Sequence, residues 1–210
     1  MSESIGLSIK DRWKDAINSR PNRLRLIGGS VIIAIIIILL PEFFKTIEQR
    51  QGVVLHDWVL ARIPAHNVSV AIFVVIWGMG LLVLYRAIYK PTIYIMYVWT
   101  LIFVCLVRML SISIIALNPP IGLIPLADPL TGVFYGQKMI TKDLFFSGHI
   151  STVTLIFLCL EKKTDKIIGF AAIIILAILL LVQHIHYTID ILAAPIITYA
   201  MYRLTRYLMF

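Results

Sequence analysis

The sequence predicts an all-α, polytopic membrane protein: six transmembrane helices carrying an active site that faces away from the cytoplasm. Three observations lead there. Of 210 residues, 60% are hydrophobic and 14% charged, and the mean hydropathy of +0.93 leaves too little polar surface for a water-soluble domain. The apolar residues gather in six stretches, about 26–44, 68–86, 92–117, 146–160, 167–185 and 187–202. Each approaches the ~20 residues that cross ~30 Å of hydrocarbon, the fourth being the shortest. The basic residues, finally, divide unequally between the two sets of loops that six spans create.

Residues 1–25 are polar and basic and read as a cytoplasmic N-terminal segment; residues 26–205 read as one six-helix membrane domain. The first apolar run has no small-residue cleavage pattern before Pro41 and is taken as a retained span. Lys10, Arg12, Lys14, Arg20, Arg23 and Arg25 precede it. Arg86 and Lys90 follow span two, Lys162, Lys163 and Lys166 follow span four, and Arg203 and Arg206 follow span six. Only Lys45, Arg50, Arg62, Lys138 and Lys142 fall on the other side. The positive-inside rule therefore puts both termini in the cytoplasm. It also accounts for the net charge of +8 without nucleic acid as a partner. The two long loops, about 45–67 and 118–145, lie outside, and Pro119, Pro120, Pro125 and Pro129 prevent the second from being helical throughout. Cys105 and Cys159 both fall within spans and report packing, not a redox compartment.

With that topology all five histidines, His56, His66, His149, His184 and His186, lie on or near the outer face. Arg108 is the one basic residue deep in an apolar stretch, 98–115. Counting from Thr92 at ~1.5 Å per residue puts it ~24 Å across, level with His149 and Asp190. Such a residue either snorkels to headgroups or holds a phosphate in its planar fork. His186 and Asp190 are spaced i, i+4, which on a helix puts them on one face. A carboxylate on one ring nitrogen fixes the tautomer and leaves the other free as nucleophile or base. Ser147 and Gly148 precede His149 at the expected start of span four. There a serine caps, a glycine permits close approach, and the free N–H groups suit an anion. His184, two residues before His186, would point the opposite way on a helix, and no Cys or Glu cluster completes a coordination set. No metal and no other cofactor is expected.

Residues 143–151, Asp-Leu-Phe-Phe-Ser-Gly-His-Ile-Ser, and 186–190, His-Tyr-Thr-Ile-Asp, resemble the sphingomyelin synthase family within the type 2 phosphatidic acid phosphatase superfamily. That family shows Gly-Asp-x3-Ser-Gly-His-Thr, matched here from Asp143 to His149, and His-Tyr-Thr-x-Asp, matched in full. Arg108 ahead of Asn118-Pro119-Pro120 is a further similarity. The broader phosphatases carry Ser-Arg where this chain has Leu179-Leu180. The family's Pro-Leu-Pro-Asp is echoed only in Val54-Leu55-His56-Asp57.

The resemblance implies six helices around an outward-facing pocket, with His149, His186 and Asp190 catalytic. Arg108, Asp143, Ser147, Gly148 and His184 would bind substrate. The implied activity moves a phospho-headgroup from a phosphoglyceride to a lipid alcohol such as ceramide. Membrane lipids would be the partners, in a bacterial inner membrane or a eukaryotic Golgi or plasma membrane. A lipid phosphate phosphatase using water, or a non-catalytic lipid-binding protein, are the alternatives.

Overall fold

The computed structural model describes residues 8–126 and 140–210. Pro129 and Lys138, assigned above to the second outer loop, lie outside the described residues. Among the described residues seven α-helices follow in order: α1 (Ile9–Asn18), α2 (Arg20–Glu48), α3 (Ser69–Tyr89), α4 (Pro91–Ile114), α5 (Gly148–Cys159), α6 (Lys163–Val182) and α7 (Thr188–Met209). Four of these, α2, α3, α4 and α6, are long and apolar enough to cross a membrane. Their outward faces carry large exposed apolar side chains such as Ile38, Val74, Leu81 and Ile167, as expected of helices solvated by lipid.

The N-terminal segment is more ordered than its polarity suggests. Ser8 caps α1 by accepting from the Asp11 N–H at 3.2 Å. Trp13 then donates to the Ile88 carbonyl at 2.8 Å, and Arg12 to the Tyr89 carbonyl at 3.2 Å. Both acceptors belong to the last turn of α3, whose carbonyls lack helical donors. Helix α2 runs on through Pro41 and packs along α4. Gly29 lets the two approach: an added Cβ there would lie 2.9 Å from the Trp99 indole nitrogen, which donates to the Arg25 carbonyl.

The core is built on α5. It packs against α3, α4, α6 and α7, and its Ile150, Val153, Leu155 and Ile156 are fully buried. At 12 residues it is only ~18 Å long, against ~30 Å of hydrocarbon. One end is fixed. Just beyond α5, Glu161 pairs with Lys90 and Asp165 takes a bidentate fork from Arg86 at 2.6 and 2.9 Å, level with the joint between α3 and α4. The N-terminus of α5 consequently stops well short of the other end of the bundle. From this difference in length we infer a recess at that end, roofed by the segments 49–68 and 115–126.

The roof is tied to the helix ends by polar side chains. Arg50 donates to the Ser113 and Ile112 carbonyls at 2.8 and 2.6 Å, closing the C-terminus of α4 with the charge its dipole favours. The Asn118 amide exchanges two hydrogen bonds with the Gly52 backbone. Gly52 has to be glycine, since a Cβ there would come within 2.5 Å of the Leu117 backbone. On the other flank, Glu48 accepts from the Thr141 and Lys142 N–H groups at 2.6 Å each. This fixes the chain entering the segment before α5.

Candidate active site

The recess collects the residues that the sequence singles out. Ser147 is the N-cap of α5, accepting from the Ile150 N–H, and puts His149 in the helix's first turn. The His149 and His186 rings meet edge to face, 5.9 Å between centroids. Behind His186 lies Asp190, its Oδ2 3.5 Å from the histidine Nδ1. The two groups face each other at this distance without a hydrogen bond between them. The two side chains are 2% and 0% exposed, and neither His186 Nδ1 nor Asp190 Oδ1 makes a hydrogen bond. Buried polar atoms without partners are rare, and catalytic hydrogen bonds often tighten only when a ligand is bound.

His186 and Asp190 come together by a different route from the one their spacing suggests. They do not share a helical face, because α7 begins at Thr188 and His186 sits in the turn before it. Asp190 is the third residue of α7 and folds back to accept the Tyr187 N–H at 3.1 Å. The carboxylate thus caps its own helix and faces the histidine at once. The same turn accounts for His184, whose φ of +55° no helix would allow. Both its ring nitrogens lie 2.9 Å from main-chain carbonyl oxygens, of Ile121 and Ile63. His184 thereby joins the two roof segments, with no ring nitrogen left over for a ligand.

Arg108 points inward from α4. Its Nε donates to the Phe146 carbonyl at 3.0 Å and its Nη2 to the Asp143 carboxylate, so it is held inside the bundle and not drawn out to headgroups. The guanidinium lies flat on Gly148, where an added Cβ would be 2.7 Å from its carbon. Positive charge is therefore stacked directly on the N-terminus of α5, which itself favours an anion. Asp143 serves as the counter-ion that orients this group. Among the described residues no three His, Cys, Asp or Glu side chains gather as a metal-ligand set.

Two residues at the site, Tyr187 and Asp57, lie within motifs that the sequence shows but receive no role from them. The Tyr187 hydroxyl donates to the Asn118 carbonyl at 2.9 Å and accepts from the Leu55 N–H at 3.1 Å, so the residue after His186 spans both roof segments. Asp57 reaches from the first loop to α7. One carboxylate oxygen accepts the Thr188 N–H at 2.7 Å; the other accepts the Thr188 hydroxyl and the N–H groups of Val59 and Leu60. Burial pushes the Asp57 carboxyl up, but these hydrogen bonds outweigh it and hold the group below its ordinary value.

Residues 142–207 match the family model described as PAP2 superfamily C-terminal. The matched segment holds Asp143, Ser147, Gly148, His149, His186 and Asp190; Arg108 and Asp57 lie outside it. The match supports the type 2 phosphatidic acid phosphatase superfamily. Members of that superfamily are generally phosphatases or phosphotransferases, so the match supports an enzyme acting on lipid phosphates. The apolar helices fit a membrane protein of that kind. No curated protein matches the chain.

The contact between Arg108 and Gly148 yields a direct test. Gly148→Ala keeps every ionisable group but displaces the guanidinium. Losing one preorganised donor of this kind costs about 10²–10³-fold in turnover, and a fall of that order is expected with folding intact. Unchanged turnover in Gly148→Ala would show that the guanidinium is not needed where it lies.

Proposed function

We propose that the protein is a membrane lipid phosphotransferase that carries a phospho-headgroup from a phosphoglyceride to a lipid alcohol, a ceramide-type acceptor, by way of a phosphohistidine. The observation that carries the reading is the pairing of a half-buried His149 with a buried His186, beside an arginine stacked on a helix N-terminus. A nucleophile needs ~3 Å to phosphorus and an acid ~3 Å to the oxygen it protonates. Two imidazoles 5.9 Å apart suit that pair of distances around one phosphoryl group.

With Nδ1 turned to Asp190, His186 presents Nε2. Nε2 attacks phosphorus as the bond to the diacylglycerol oxygen breaks, and His149 gives that oxygen its proton. Diacylglycerol leaves. The acceptor hydroxyl then loses its proton to His149 and attacks phosphorus, and the N–P bond breaks to restore His186. Asp190 stabilises the positive charge on His186 in the intermediate. Arg108, Ser147 and the N–H groups opening α5 hold the negative phosphoryl oxygens. Burial of His186 disfavours water as acceptor, which is why transfer is preferred here to hydrolysis.

The experiment supplies labelled phosphoglyceride to the purified protein with and without ceramide. Label should move to ceramide, and should stop moving in His149→Ala, His186→Ala and Asp190→Asn. General acid–base loss alone removes ~10²–10⁴-fold. Release of free headgroup or inorganic phosphate without transfer would instead make the protein a hydrolase, and a fully active His186→Ala would refute the nucleophile.

The uneven basic residues support six spans with the recess on the extracytoplasmic side. On this reading α5 and α7 add the fourth and sixth crossings to those of α2, α3, α4 and α6. A cysteine at Arg62 should react with an impermeant thiol reagent in intact cells, and one at Lys163 should not. The reverse pattern would place the site on the cytoplasmic face.

A further inference from the structure

Asp57 stands outside the chemistry just described, yet it is the strongest polar link between the first loop and the segment bearing His186. Its partner, Thr188, is the first residue of α7 and lies two residues from His186. On the other side of Tyr187, Asp190 binds the Tyr187 N–H. Two carboxylates therefore take the two consecutive N–H groups that open α7, at 3.1 and 2.7 Å. One of them is the residue that faces His186. If the Thr188 contact were released, the N–H groups opening α7 would be held by Asp190 alone, and the turn would be tied to the loops only through the Tyr187 hydroxyl.

We propose that Asp57 is a positioning residue for the phosphoryl-transfer step, holding the His186–Asp190 pair in register by clamping the N-terminus of α7 to the first loop. The proposal rests on the function assigned above. It predicts a residue 131 positions from Thr188 whose loss slows chemistry and leaves lipid binding unaffected.

The geometry offers a substitution that separates this role from folding of the loop. In Asp57→Asn one oxygen becomes an NH₂ group. Placed toward Val59 and Leu60, that group would face two N–H donors; placed toward Thr188 it faces only one. The amide therefore settles with its oxygen on Val59 and Leu60, preserving the loop's own turn, and with its NH₂ against the Thr188 N–H. The clamp to α7 thereby loses its backbone bond, a donor now facing the Thr188 N–H, while the Thr188 hydroxyl keeps its acceptor. A milder cut is Thr188→Val, which removes the hydroxyl bond and keeps the backbone one, whereas Thr188→Ser keeps both.

Two measurements test the proposal. In the transfer assay, Asp57→Asn should lower kcat by at least tenfold with KM for the donor within about twofold. Thr188→Val should fall between it and the unaltered protein, and Thr188→Ser should match the latter. In parallel, hydrogen exchange in the membrane-embedded protein should quicken over residues 184–190 in Asp57→Asn and stay unchanged over 59–63. Equal kcat in Asp57→Asn, a rise in KM alone, or unaltered exchange over 184–190 would overturn the proposal. If the unaltered protein transfers no headgroup at all, the assigned function fails, and the exchange result still decides whether Asp57 clamps the turn.

Discussion

A guanidinium inside a bundle of apolar helices has to be compensated on every side, and Arg108 is compensated almost entirely by the segment that opens α5. Asp143 takes its charge, the Phe146 carbonyl takes its Nε–H, and Gly148 gives it a flat surface. Breaking a buried pair by deleting one partner typically costs ~3–5 kcal/mol, whereas an exposed pair contributes ~0–1. The Arg108–Asp143 pair, with side chains 13% and 28% exposed, lies toward the first case. The charge thus does two things: it fixes residues 143–148 against α4, and it puts a cation where the α5 dipole already favours an anion. His149 inherits its position from that arrangement.

The opposite wall of the recess has the reverse polarity. Asp190 and Asp57 both accept N–H groups at the start of α7, so this helix end is occupied by carboxylates and closed to phosphate. The α5 end carries no carboxylate on its own first turn. A phosphoryl group between the two walls would find donors and positive charge on one side. On the other it would find a histidine backed by negative charge. This division gives His149 and His186 different roles even though they are the same residue type.

How much of this is legible in the sequence depends on how local each contact is. The residues from Asp143 to His149 form one helix start, and those from His186 to Asp190 form another. Both can be read from spacing and capping chemistry, and Arg108 from its cost in an apolar run. The i, i+4 rule, however, brought His186 and Asp190 together for the wrong reason, since a helix starting at Thr188 produces the contact through a backward-folded cap. His184 reads as a ligand residue by proximity, yet its left-handed backbone turns the ring to the carbonyls of Ile63 and Ile121. Asp57 appears in the sequence only as the end of Val54-Leu55-His56-Asp57, and its role is not legible there, because its partner is 131 residues away and the pairing exists only once the loop has folded over α7. The helix at Ile9–Asn18 is masked by its charge in the sequence, although Ser8 followed by Asp11 is a helix-start signal.

The central claim is that His186 carries the phosphoryl group. It is tested most directly by mixing the protein with labelled phosphoglyceride in the absence of acceptor, quenching under alkaline conditions that spare phosphohistidine, and mapping the label by mass spectrometry. The account predicts the headgroup phosphate on His186, lost on adding ceramide, and slower to form in His149→Ala, which lacks the acid for the departing diacylglycerol. Label on His149, or turnover with no labelled histidine at any time, would contradict it.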